Sequence, residues 1–264
     1  MLGVFDSCVG GLTVARELQK QLPEYDLIYF GDTARSPYGN KSKETIVRYA
    51  LEDADFLIRR GAKAIVIACN TASALALGAL KEKYPDMPIF EVITPAVDEA
   101  IAVTKTKRIG VIGTRATIKS GIYEAALKKK GNSTFVISSA CPLFVPLIEE
   151  GWINQPEIKT IARKYLLPFR NCNIDTLILG YTHYPIIKNL IQARVGRRVK
   201  LVDSASAVAQ RVKEFLSSHP DLEKEMQKNK KQKFFVSDLT EQCRSVANKF
   251  LAKNITIYES GDFK

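Results

Sequence analysis

Cys69, Asn70 and Thr71 put a thiol, an amide and a hydroxyl on consecutive residues, directly after the apolar run Ala64-Ile65-Val66-Ile67-Ala68. A thiol works as a base or nucleophile only through its thiolate, so the surroundings of Cys69 decide what it can do. The stretch Ala72-Ser73-Ala74-Leu75-Ala76-Leu77 reads as a helix, which places the thiol where a strand hands over to a helix. The open N–H groups and dipole of a helix N-terminus favour anions and lower the pKa of a nearby thiol. Free cysteine is more often a small buried hydrophobe, and only position and polar company distinguish Cys69. The expectation is an ionisable, accessible thiol.

Three further turns carry polar groups in the same way. Asp6-Ser7-Cys8-Val9-Gly10-Gly11 follows the short apolar strand Leu2 to Phe5 and precedes an amphipathic helix, Leu12 to Leu22. Its glycines allow a close backbone approach or simply a tight turn, because no complete dinucleotide or phosphate-loop pattern is present. Ile109-Gly110-Val111-Ile112-Gly113-Thr114 echoes the first strand and its turn, and Leu177-Ile178-Leu179-Gly180-Tyr181-Thr182-His183 echoes the strand ending at Cys69. In this weak repeat Gly3 corresponds to Gly110 and Cys69 to Tyr181. Chance similarity between buried Val/Ile/Leu-rich strands would look much the same.

The elements between these turns alternate. Asp26 to Phe30 reads as a strand and Gly31 to Gly39 as a loop rich in turn formers and hydrogen-bonding groups. Lys43 to Arg60 reads as a helix with Ile46, Ala50, Ala54, Leu57 and Ile58 on one face, stopped by Gly61. Strand, helix, strand is the grammar of a parallel sheet. Pro88 to Ile93 is a further strand, Thr94-Pro95 a break, and Ala96 to Val103 a short helix. Later strands are expected at Ser133 to Ser138, at Lys200 to Ser204 with its polar end, and at Phe234 to Ser237, the last followed by a helix from Glu241 to Leu251. The pattern predicts an α/β protein of two similar domains with mainly parallel sheets, residues 1–96 plus 205–264 and residues 97–204. These would face each other across a cleft lined by the four polar turns, at the strand carboxyl ends where open α/β sheets bind ligands. The segment Cys141 to Gly151 sets Glu149 and Glu150 beside apolar residues, and either could be merely solvated. His183 alone would more often be a hydrogen-bonded structural histidine.

Composition narrows the partners. A hydrophobic share of 46% with 25% charged residues is ordinary for a globular chain, and no apolar run is long enough to cross a bilayer. The N-terminal residues lack the pattern of a signal peptide, and a cytoplasmic location is expected. Five widely spaced cysteines with two histidines argue against a disulfide framework and against a metal site. A net charge of +11 would attract anions, but it is scattered. Its densest part, Lys224 to Lys233, lacks interleaved aromatics and reads as a solvated connector, so neither a nucleic-acid nor a membrane partner is expected.

Taken together, five motifs in order resemble the glutamate racemases of the aspartate/glutamate racemase superfamily. They are Val4-Phe5-Asp6-Ser7 with Val9-Gly10-Gly11-Leu12-Thr13, then Ser36-Pro37-Tyr38-Gly39, Ala68-Cys69-Asn70-Thr71-Ala72, Gly113-Thr114-Arg115-Ala116-Thr117 and Thr182-His183-Tyr184-Pro185. The resemblance implies two α/β domains and cofactor-independent inversion of glutamate for peptidoglycan synthesis. It implies two thiols, one on each face of the α-carbon. Cys69 would be one, assisted by Asp6; His183 would assist on the other side, with Glu149 at the remaining acidic position. Asp6, Ser7, Pro37, Tyr38, Gly39, Cys69, Asn70, Thr71, Thr114, Thr117, Thr182 and His183 fall at substrate positions. Their chemistry suits an amino dicarboxylate, with hydroxyls, an amide and backbone N–H groups for the carboxylates and a carboxylate for the ammonium. A homodimer is compatible with the resemblance.

Two positions depart from the family pattern: Cys8 stands where glycine is usual, and Tyr181 stands where the second thiol is expected. A phenol, with a reference pKa near 10 against about 8.5 for a thiol, is the poorer base at neutral pH, and its ring is larger. Two alternatives to a racemase therefore stay open. One is a one-thiol relative such as a decarboxylase, the other a glutamate-binding protein without catalysis.

Overall fold

Strands that are apolar throughout, without alternation, need cover on both faces and pair in parallel through crossover helices. The computed structural model describes residues 1–131, 133–251 and 255–261, and in it all the paired strands run parallel. The chain divides into two compact units, Met1–Val92 with Ala205–Lys264, and Ile93–Ser204.

The first unit begins with β1 (Leu2–Asp6), β2 (Leu27–Gly31), β3 (Ala64–Ile67) and β4 (Ile89–Glu91). The second holds β5 (Arg108–Gly113), β6 (Phe135–Ala140), β7 (Thr176–Gly180) and β8 (Lys200–Asp203). The chain then returns to the first sheet with β9 (Gln232–Val236) and β10 (Ile257–Glu259). Strand orders are β10-β9-β2-β1-β3-β4 and β6-β5-β7-β8. Matching β1 with β5 and β3 with β7 makes the run β2-β1-β3-β4 the same arrangement as β6-β5-β7-β8, so the sequence echo corresponds to equivalent strands.

Each sheet is centred on the strands that carry polar turns. In the first unit Val4, Phe5, Ile65, Val66 and Ile67 are wholly buried, and Phe5, Ile65 and Ile67 share a core with Ile46, Ala50, Ala54 and Leu57 of the helix Lys43–Arg59. Each large apolar side chain buried this way contributes roughly 1.5–3 kcal/mol. Ser42 caps that helix, its Oγ accepting from the Thr45 N–H. In the second unit Ile112, Leu177 and Leu179 pack with Phe144, Leu166 and Phe169.

Several elements differ from the sequence reading. Thr94-Pro95 is no break, because both lie in the first turn of the helix Ile93–Val103, where proline's missing N–H has no helical acceptor to lose. β6 starts at Phe135, two residues later than read, and β9 starts at Gln232, inside the lysine-rich stretch. That stretch is also anchored: Asp26 Oδ1 accepts from the backbone N–H groups of Asn229 and Lys231, at 2.8 and 3.0 Å.

Two glycines give opposite expectations. A Cβ on Gly180 would lie 2.6 Å from the Ile112 carbonyl oxygen, forcing β7 from β5, whereas one on Gly78, exposed in the helix Asn70–Lys83, would meet nothing within 4 Å. Gly180→Ala is expected to destabilise by about 1–3 kcal/mol and Gly78→Ala to stabilise by about 0.5–1 kcal/mol. Urea denaturation of both variants checks the pair.

Candidate active site

In the first unit the adjacent carboxyl ends of β1 and β3 bring together five of the sequence candidates, Asp6, Ser7, Cys69, Asn70 and Thr71, all buried. Cys69 caps the helix Asn70–Lys83: its sulfur accepts from the Ala72 N–H at 3.4 Å and donates to Ser7 Oγ at 3.4 Å. The Asp6 carboxylate accepts from the Gly11 N–H at 2.7 Å and from the Cys8 thiol at 3.2 Å. Cys8 is thus a hydrogen-bond donor to the carboxylate in a turn expected to hold glycine.

The expectation of an accessible, readily ionised Cys69 is corrected. The residue is 1% exposed. Burial pushes its thiol up to about 12, the charge of Asp6 adds to this, and hydrogen bonds from Ser7 and the Ala72 N–H oppose it without prevailing. A helix N-terminus lowers a thiol's pKa by a modest amount, and here desolvation is the larger effect.

The loop after β2 holds three more of the candidates, Pro37, Tyr38 and Gly39. Tyr38 is buried and its hydroxyl is bonded to Asp32 and, at 2.9 Å, to Asp53. What Tyr38 and the buried Gly39 retain for a ligand is backbone; Pro37 is exposed. Asp32, Arg35 and Asp53 were not among the sequence candidates. A signal existed for Asp53, which lies three residues after Ala50 and four before Leu57 on the apolar stripe of its helix.

The second unit assembles the other candidates. Thr114 caps the helix Arg115–Lys119, with its Oγ1 accepting from the Thr117 N–H at 3.1 Å and lying 2.9 Å from Thr117 Oγ1. Tyr181, Thr182 and His183 follow β7 and are buried. His183 Nε2 is 3.2 Å from Glu149 Oε1. Glu150 is exposed, so the geometry separates two acids that the sequence left equivalent. The Tyr181 ring lies against those of His183 and Tyr184, with centroids 5.2 and 5.4 Å apart. Tyr184 in turn donates to the Gly113 carbonyl at 3.2 Å, tying the end of β7 to that of β5.

A thiol beside a carboxylate, an imidazole held by a second carboxylate, and hydroxyls and amides around each are groups suited to moving a proton on a charged, polar substrate. The family described as Asp/Glu/Hydantoin racemase matches residues 12–212. A glutamate racemase of Geobacter metallireducens is 48% identical over 250 residues, 95% of this chain and 92% of its own. Among solved structures, a glutamate racemase isoform of Bacillus anthracis superposes with a TM-score of 0.91 at 37% identity, covering 97% of this chain and 96% of that one. The glutamate racemase of Francisella tularensis in complex with D-glutamate gives 0.90 at 40% identity, covering 98% and 95%.

The raised thiol makes a direct prediction. Alkylation of Cys69, followed by peptide mass spectrometry, should accelerate about tenfold per pH unit from pH 7 to about pH 10 without levelling off. Asp6→Asn removes a charge that disfavours the thiolate, so it should lower the apparent pKa and speed the reaction at a given pH. A plateau near neutral pH in the parent chain would contradict the assignment.

Proposed function

The chain belongs to the Asp/Glu/Hydantoin racemase family, and from that premise we propose that Cys69 and Tyr181 face the α-carbon of glutamate, with Asp6 and His183 assisting the respective proton transfers. The protein is an amino-acid racemase, an isomerase that interconverts L- and D-glutamate and so supplies the D-enantiomer for peptidoglycan and cell shape. No helix among the described residues is long and apolar enough to cross a membrane. The reading assigns the cytoplasm, which suits five free cysteines.

The observation that carries the site assignment is the seat of Cys69, capping a helix within reach of Ser7 and under the charge of Asp6. As thiolate, Cys69 takes the α-proton, and the C–H electron pair is left on the α-carbon and spreads into the carboxylate. A proton delivered to the opposite face restores the C–H bond with inverted configuration. At a pKa of about 12 only about one thiol in 10⁵ is ionised at pH 7. A bound glutamate changes this balance, because its ammonium offsets the Asp6 charge that holds the thiol protonated. Ser7, Asn70, Thr71, Thr114, Thr117 and Thr182, with the backbone of Tyr38 and Gly39, supply hydrogen bonds to the two carboxylates. Glu149 orients His183.

Tyr181 limits this cycle. A phenol replaces the second thiol, and its ring occupies space beside His183. Cys69 still acts alone on the enantiomer whose α-hydrogen faces it, so exchange of that hydrogen with heavy water outlasts net inversion. Tyr181→Cys is expected to raise inversion from both enantiomers by about 10²–10⁴-fold, the range general acid–base catalysis supplies, read by circular dichroism with L- and with D-glutamate. Equal rates for parent and variant would show that Tyr181 does not limit turnover. Cys69→Ala should abolish solvent exchange in the parent chain, and exchange that persists would remove Cys69 from the reaction.

A further inference from the structure

After β2 lies a cluster whose side chains the proposed chemistry does not use: Asp32, Arg35, Tyr38 and Asp53. Both carboxylates are wholly buried. The Tyr38 hydroxyl sits within hydrogen-bond distance of Asp32 Oδ2 and of Asp53 Oδ2. It has one proton to give and so satisfies one of them as donor. The other contact would set two oxygen lone-pair regions against each other unless that carboxyl brings a hydrogen of its own.

The remaining bonds say which one does. Asp32 is surrounded by donors, taking Arg35 Nε at 2.6 Å on Oδ2 and the Ser237 hydroxyl at 2.9 Å on Oδ1. Asp53 takes Arg35 Nη2 at 3.0 Å on Oδ1, which leaves Oδ2 directed at Tyr38. Charge points the same way, because Arg35 also pairs with Glu52. With Asp53 ionised, one guanidinium would face three carboxylates, two of them out of water, an arrangement burial makes costly.

We infer that Asp53 stands in the folded protein as a neutral carboxylic acid, its Oδ2–H donated to Tyr38 and the Tyr38 O–H donated to Asp32. This makes it a positioning residue for the Tyr38–Gly39 segment. Burial first, and then the charge of Asp32, push the Asp53 carboxyl well above the usual range, against the pull of Arg35 and the Tyr38 hydrogen bond; Glu52, the remaining charged neighbour, pushes it further up.

The cluster reaches the site by two routes. The Asp32 N–H donates to the Asp6 carbonyl at 2.9 Å. The Tyr38 ring packs in one core with Phe5, Cys69 and Ala72. A displaced Tyr38 therefore shifts both the loop backbone and the ends of β1 and β3. The functional part of the inference rests on the proposed assignment of these groups to glutamate.

The test uses the full chain and three variants. Asparagine copies the neutral acid, with Oδ1 accepting from Arg35 and Nδ2 donating to Tyr38, so D53N should keep its urea midpoint and bind glutamate within about twofold of the parent. Asp53→Ala leaves Tyr38 and Arg35 short of a partner, and Asp32→Asn removes the charge opposite Arg35; each should weaken glutamate binding by about tenfold or more. The infrared difference between parent and D53N at pH 7 should contain the carbonyl stretch of a protonated carboxyl, moving on transfer to D₂O. Absence of that band, or D53N as damaging as D53A, would overturn the neutral acid. A destabilised D53A that binds glutamate like the parent would overturn the positioning role. A parent chain that does not bind glutamate would refute the proposed function instead, and the band and urea midpoints would still decide the state of Asp53.

Discussion

The pairing of β1 with β3, and of β5 with β7, is the constraint on which the rest depends. Along each parallel strand the backbone groups are consumed by neighbours, and the faces are consumed by helices. At the carboxyl end both supplies stop together, so the chain must turn and helix N–H groups open toward the same place. Register makes the coincidence tight: Phe5 is level with Ile67, and Gly113 with Gly180. Residues more than sixty positions apart in sequence, Ser7 and Cys69, are thereby brought within hydrogen-bond distance.

Electrostatics then sets what those groups do. The first unit takes Cys69 out of water beside an ionised Asp6, which keeps the thiol protonated until something positive arrives. Such a base is weakly populated, and it is strong when formed. In the same unit, Arg35 holds Asp32 and Asp53 on a single planar guanidinium whose fork suits two carboxyls at once, and it lies over the Tyr49 ring at 4.1 Å. A lysine there would present a point charge without the fork or the stacking surface.

Much of this is legible in residue order, and the exceptions have physical causes. The strand-to-helix turn at Cys69 shows because five apolar residues end abruptly in polar ones, and the duplicate arrangement shows because β1 and β5 share a pattern. The fate of the thiol does not show, because desolvation depends on what packs over it and the helix dipole is only the local part of the sum. The cluster around Tyr38 does not show either, because its partner Asp53 comes fifteen residues later on another element, and hydrogen bonds of that kind leave no periodic trace. The Thr94-Pro95 misreading is of the opposite sort, a strong local signal whose meaning depends on where in a helix proline falls.

The return of the chain to its first sheet has a consequence for biosynthesis. β2 lies between β1 and β9, and β9 is made only after the entire second unit, Ile93–Ser204, has been synthesised. Until then the open edge of β2, with Tyr29 and Phe30 beside it, is an unpaired parallel strand, the kind of edge that recruits other chains. The second unit is continuous in sequence and can complete its sheet at once, while the first waits for a partner strand about 200 residues downstream. The half of the molecule that carries Cys69 is therefore the last to become whole, and a nascent chain is most exposed to aggregation after its second unit has already folded.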